Sequence, residues 1–199
     1  SGRMDIAGGG TQPYRFDVDL QGDAGQFDLT GYFAAGDIPI YAAQGSVAGL
    51  DLRQVPGLQA LPPTELRGTI DLEGQGTSLG TLAGRLRFDA LGSTIGGTAL
   101  ERLQTDLAVE AGVLEVHSLS AALTGTQVTA EGRLGLTRPA TGQPLQVRAV
   151  SSDLSRLAPL AGGVTGLPPR LTGSFLLQAM VTGSIQEPIV AGAFRGQQL

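Results

Sequence analysis

The run Leu171-Thr-Gly-Ser-Phe-Leu-Leu-Gln-Ala-Met-Val-Thr-Gly-Ser-Ile-Gln-Glu-Pro-Ile-Val-Ala-Gly-Ala-Phe194 decides the fold class of this chain. It divides at a Gly-Ser-Ile-Gln-Glu-Pro connection into two segments. In the first, Leu171, Gly173, Phe175, Leu177, Ala179 and Val181 fall on alternate positions, and in the second Val190, Gly192 and Phe194 do the same. Successive side chains of a strand point to opposite sides of the pleat, so a period of two marks a strand with one dry face. The spacing predicts two strands, and nothing in the run supplies an acid–base pair, a nucleophile or a metal-ligand set.

The same pattern extends back through the chain. Tyr14, Phe16, Val18 and Leu20 alternate with Arg15, Asp17 and Asp19. Beyond a Gly-bearing turn, Phe27-Asp-Leu-Thr-Gly-Tyr-Phe33 resumes the alternation, which predicts an antiparallel hairpin. Further strands are expected at Ile38–Ala42, Leu66–Leu72, Leu82–Phe88, Leu103–Val109, Val113–Ser118, Val128–Leu136 and Leu145–Ala149. Pro39 has no N–H to donate, which places it at an edge or an unpaired position. Two stretches change period. Leu52, Val55 and Leu58 recur every third residue behind Asp51, and Asp153-Leu-Ser-Arg-Leu-Ala-Pro-Leu160 repeats that spacing. Two short helical turns are therefore expected, near 51–60 and 152–160.

Composition agrees with an all-β chain. Among 199 residues there are 31 Gly and 11 Pro, the Gly spread along the sequence, as many short strands and tight turns require. The formal net charge is −5 and there is no basic cluster, which excludes nucleic acid as a partner, since phosphate contacts need grouped Lys and Arg. Every basic side chain that stays charged is Arg. The absence of Cys removes disulfides, thiolate nucleophiles and Cys-based zinc sites. No stretch approaches the roughly 20 apolar residues that span a bilayer. The opening Ser1-Gly2 resembles the scar of tag removal, and residues 1–12 are expected to be a flexible start.

The two halves repeat. Phe27–Phe33 aligns with Val128–Leu134 at an offset of 101, and Asp51-Leu-Arg-Gln-Val with Asp153-Leu-Ser-Arg-Leu at 102. Leu61-Pro-Pro aligns with Leu167-Pro-Pro at 106, and Leu82-Ala-Gly84 with Val190-Ala-Gly192 at 108. The expected units are 13–98 and 99–199, continuous with each other, as in stacks whose units contact mainly their neighbours.

At these residues the chain resembles the TamB family. Those are the inner-membrane components of the translocation and assembly module, related to AsmA-like bridge proteins. The resemblance is carried by Leu171-x-Gly-Ser-Phe-Leu-Leu, by Val181-Thr-Gly-Ser-Ile-Gln-Glu-Pro-Ile-Val-Ala-Gly-x-Phe194 and by the preceding Asp153-Leu-Ser-Arg-Leu-Ala-Pro-Leu160. It covers about Phe16 to Phe194. The first copy, at Gly76–Gly84, lacks the Pro. What the resemblance implies is an elongated antiparallel sheet curved into a taco or half-pipe with an apolar concave groove. The implied function is carriage of phospholipid acyl chains between the inner and outer membranes, with a link to outer-membrane protein assembly through a barrel protein of the TamA or BamA kind. The implied location is the periplasm, within a longer chain anchored in the inner membrane by a segment outside this sequence. No cofactor, metal or enzymatic activity is implied.

The candidate groove residues are Phe16, Val18, Leu29, Phe33, Ile70, Leu72, Leu86, Leu107, Val109, Val128, Leu134, Val147, Phe175 and Leu177, each on the apolar side of its expected strand. Aromatic residues make up only 5% of the chain, and aliphatic or small side chains leave room for acyl chains. The same alternation also fits a closed sandwich or barrel core. A second functional class is a non-conducting scaffold whose edges add strands to outer-membrane barrel proteins, or to a second copy as a homodimer. The remaining features point to no site. His117 is a lone histidine, Asp17 and Asp19 have the spacing of a solvated strand face, and Gly8–Gly10 lacks the setting of a phosphate loop. Arg85 and Arg87 read as solubilising charge.

Overall fold

The computed structural model describes residues 2–9, 12–22, 25–54, 62–78, 81–153, 155 and 172–197. They form one antiparallel sheet of twelve strands in chain order. The strands are β1 (Gly2–Gly9), β2 (Gln12–Gly22), β3 (Gly25–Ala34), β4 (Ile40–Leu50), β5 (Thr64–Gln75), β6 (Ala83–Ile95), β7 (Thr98–Glu110), β8 (Val113–Leu123), β9 (Thr126–Gly135), β10 (Leu145–Ser151), β11 (Ser174–Gly183) and β12 (Pro188–Gln197). The fold is all-β, as the alternation predicts, and the sheet is not closed into a barrel: β1 and β12 are its two edges. Short turns make this order possible. Between β6 and β7, Gly96 and Gly97 both have positive φ (57° and 77°), the mirror-image turn whose twist matches that of the strands it joins.

Cross-strand pairing fixes which residues share a face. One row crosses the whole sheet, each residue the direct partner of the next: Met4, Val18, Leu29, Gly45, Ile70, Phe88, Thr105, Leu119, Ala130, Val147, Ala179 and Gly192. Partners in an antiparallel pair lie on the same side. This face is therefore apolar from edge to edge, while the opposite one carries Asp17, Asp28, Asp71, Arg87, Asp106, Glu131 and Arg148. Along β3, β5, β9 and β10 the apolar positions are half-buried or buried, except Phe33, and nearly all the positions between them are exposed.

The best-buried part of the apolar face lies where β5 begins and β6 and β8 end. Leu66, Leu100 and Leu123 are buried there, with Leu50, Leu52, Phe88, Ile95, Leu103 and Ala121 packed against them. Leu52 reaches this cluster from the connection after β4. Its N–H donates to Thr64 Oγ1 (2.7 Å), whose hydroxyl donates to the Leu50 carbonyl (3.1 Å). A comparable polar clamp closes the same end two hairpins later, where the buried Thr126 hydroxyl donates to Ser151 Oγ (2.8 Å).

The structure departs from the sequence expectations in two places. Residues 2–9, expected to be part of a flexible start, form β1, because Met4 and Ile6 alternate with Arg3 and Asp5 in step with β2. The expectation of two helical turns is not borne out. The described residues contain one 3-10 turn, Leu52–Gln54, and the turn expected near 152–160 lies largely outside them. The two connections nevertheless open alike: Asp51 Oδ1 accepts from the Arg53 N–H (3.1 Å) and Asp153 Oδ1 from the Ser155 N–H (3.0 Å). Pro39 lies just before β4, where its carbonyl accepts from the Gly76 N–H.

Candidate functional site

All fourteen candidate residues stand on the apolar face. Val18 is opposite Leu29, while Leu72, Leu86 and Leu107 are successive partners across β5, β6 and β7. Val109 and Leu134 both face Leu114, from β7 and β9. Val128 and Leu177 flank Ala149, and the Phe175 ring stacks on Phe194 with centroids 5.8 Å apart. Phe16 lies opposite Gly31, and Phe33 opposite Tyr14 and Tyr41. Ile70 and Val147 belong to the row that spans the sheet. Val18 and Leu134 are buried, Phe33 is exposed, and the other eleven are half-buried. They form a surface and not a cluster.

Leu72, Leu86, Leu107 and Val109 line a hollow of about 140 Å³ together with Tyr41, Leu82 and Leu114. Tyr41 and Leu114 were not among the candidates, and neither were Met4 and Ile6. Leu114-Glu-Val116 and Met4-Asp-Ile6 do alternate, so the signal was present but short.

Glycines on this face coincide with close backbone approach. A Cβ on Gly31 would collide with the Ala42 carbonyl, and one on Gly84 with the Glu73 carbonyl, each on the neighbouring strand. Only a residue without a side chain lets the backbones come so near on that side.

The other face is ionic. The Arg85 guanidinium donates two hydrogen bonds to Asp106 (2.7 and 2.5 Å), with Arg87 at 3.8 Å from the same carboxylate and 3.6 Å from Asp71. The Arg85 hydrogen bonds are the main reason that the Asp106 carboxyl is held below the usual carboxylate range. Arg133 pairs with Glu115 at 3.0 Å, and His117 stands 3.9 Å from Glu115 at a bulge in β8. Asp17 lies opposite Asp5 and Thr30, and Asp19 opposite Arg3 and Asp28, all on the solvated face. Two depressions, of about 730 and 440 Å³, are lined chiefly by outward side chains such as Thr129, Glu131, Gln146, Asp71 and Asp89. A twisted sheet is saddle-shaped and hollow on both sides.

Among the described residues no group of His, Cys, Asp or Glu is placed to hold a metal, and no helix is long and apolar enough to cross a membrane. No protein-family model matches the chain, and no curated protein or solved structure matches it.

Proposed function

We propose that the apolar face is a path for the acyl chains of phospholipids, with the sheet bent toward that face as a half-pipe. The observation that carries this reading is the asymmetry of a single layer. One side of a twelve-stranded sheet is apolar from β1 to β12 and half-shielded along most of its length, while the other side holds the charged side chains of the strands and is open, with Val150, Met180 and Ile189 among its exposed residues near the β12 edge. Soluble monomers rarely leave so extended an apolar surface without an occupant. Burial of alkyl surface contributes roughly 25 cal/mol per Å² without directional bonds, so such a face holds a chain firmly yet lets it slide. Glycines at Gly31 and Gly84 let adjacent strands fold toward one another on that side, as glycine kinks do at the corners of curved sheets.

The chain exposes 12378 Å², against the order of 8,800 Å² for a compact monomer of 20.3 kDa, which favours an open layer over a closed core. The sequence resemblance to TamB-like bridge proteins supports this reading, under which the chain works in the periplasm of a diderm envelope.

The test is mass spectrometry of organic extracts from the purified chain, expressed with an export signal in a diderm host. Phospholipid at a reproducible ratio to protein, lost after detergent exchange and regained from vesicles, is expected. Extracts free of lipid, from a chain that vesicles also fail to load, contradict the reading.

A further inference from the structure

We propose that the two sheet edges are complementary, so that β12 of one copy pairs with β1 of a second copy in the register that β6 and β7 use inside the chain. The inference is independent of what occupies the apolar face. The repeat makes β12 the counterpart of β6, since Val190-Ala-Gly192 aligns with Leu82-Ala-Gly84, and makes β3 the counterpart of β9. Counting back two strands from each, β1 is the counterpart of β7. Strand directions alternate through the sheet, so β12 and an added β1 meet antiparallel, as β6 and β7 do.

Side chains on both faces fit that register. With the offsets found in the sequence, Asp5 takes the place of Asp106 and Arg195 the place of Arg87. Inside the chain Arg87 is the direct cross-strand partner of Asp106, whose carboxylate lies between Arg87 and Arg85. Across the edge, Arg195 comes opposite Asp5, which already has Arg3 at 2.7 Å on its own strand. A carboxylate again stands between two guanidiniums. Within its own sheet Arg195 faces Leu176 and has no charged partner among the described residues. On the apolar face Phe194 comes opposite Ile6, as Leu86 is opposite Leu107. Ile6 and Phe194 are 61% and 56% exposed in the single chain, large apolar side chains on edges that carry unpaired backbone groups.

Each copy uses two different edges, so the contact is head-to-tail and does not close as a two-fold dimer. It continues as an open series. The strand region 14–20 is covered by β1 and takes no part.

Sedimentation equilibrium of the chain is expected to show a concentration-dependent series of dimers, trimers and higher species. Arg195→Asp and Asp5→Arg each set like charges opposite one another and are expected to weaken association by about tenfold or more. An equal mixture of the two variants regains association, because every mixed contact then brings opposite charges together. Both positions are exposed, and circular dichroism verifies that the sheet is retained. A chain that stays monomeric at every concentration, including one whose edge is taken only by a different β-protein, overturns the proposal. So does association insensitive to both reversals, or one confined to a closed dimer that the mixture does not restore.

Discussion

Arg85 on β6 and Asp106 on β7 meet in two parallel hydrogen bonds of 2.7 and 2.5 Å, on the face opposite the one carrying Leu86 and Leu107. The ionic clamp and the apolar contact are therefore formed by alternate residues of the same two strands. The charged face fixes register while the apolar face stays free of charge.

Acid should loosen that clamp. Asp106 titrates below its ordinary value, so its contribution to stability is fully present above the unfolded carboxylate pKa near 4 and is lost as pH falls through the folded value. The melting temperature of the native chain is expected to fall more steeply below about pH 4 than that of Asp106→Asn. Equal slopes would contradict this.

Asp51 accepts three hydrogen bonds from the Arg53 side chain, and chiefly for that reason its pKa is lowered to about 2. Carboxyl chemical shifts followed by NMR are expected to place the Asp51 midpoint there. In Arg53→Ala the midpoint should return toward the ordinary carboxylate value. A midpoint unchanged by the substitution would show that the hydrogen bonds do not set it.

Leu100 is 1% exposed and sits in the buried cluster with Leu66 and Leu123. Leu100→Ala is expected to cost about 2–5 kcal/mol in urea unfolding. Leu72→Ala, at a half-buried position, should cost about 1 kcal/mol, because less surface leaves water there on folding. Similar costs at the two sites would mean that the mid-sheet face is covered as fully as the cluster.

Gly31→Ala places a Cβ against the Ala42 carbonyl and is expected to destabilise by about 1–3 kcal/mol. Gly22→Ala meets nothing within 4 Å and should be neutral to within about 0.5 kcal/mol. Loss of the difference would remove the close strand approach on the apolar face.

Alternation made most of the sheet legible, because strands such as β2, β3, β5 and β9 each keep one phase over six or more residues. Where phase breaks, the sequence misleads. In β8 the apolar face runs through Leu114 and Val116 and then Leu119 and Ala121, since a bulge at His117 and Ser118 inserts an extra residue. Similar register shifts near Leu50, Leu66 and Leu100 hid the buried cluster, which a strict period of two scatters between faces. β1 was missed because only Met4 and Ile6 carry its pattern between glycines. The candidate face survived because every chosen residue came from an unbroken stretch of alternation. Its membership of one surface could not be read from any single strand, since it depends on the pairing of all twelve.

The most direct test of an acyl path compares two consecutive residues of β6. Leu86 points to the apolar face and Arg87 to the charged one. A photoreactive amino acid placed at either position in turn, in a chain loaded from phospholipid vesicles, is expected to crosslink lipid at 86 and not at 87. Equal labelling at the two positions, or labelling of protein alone at 86, would contradict a lipid path on the apolar face.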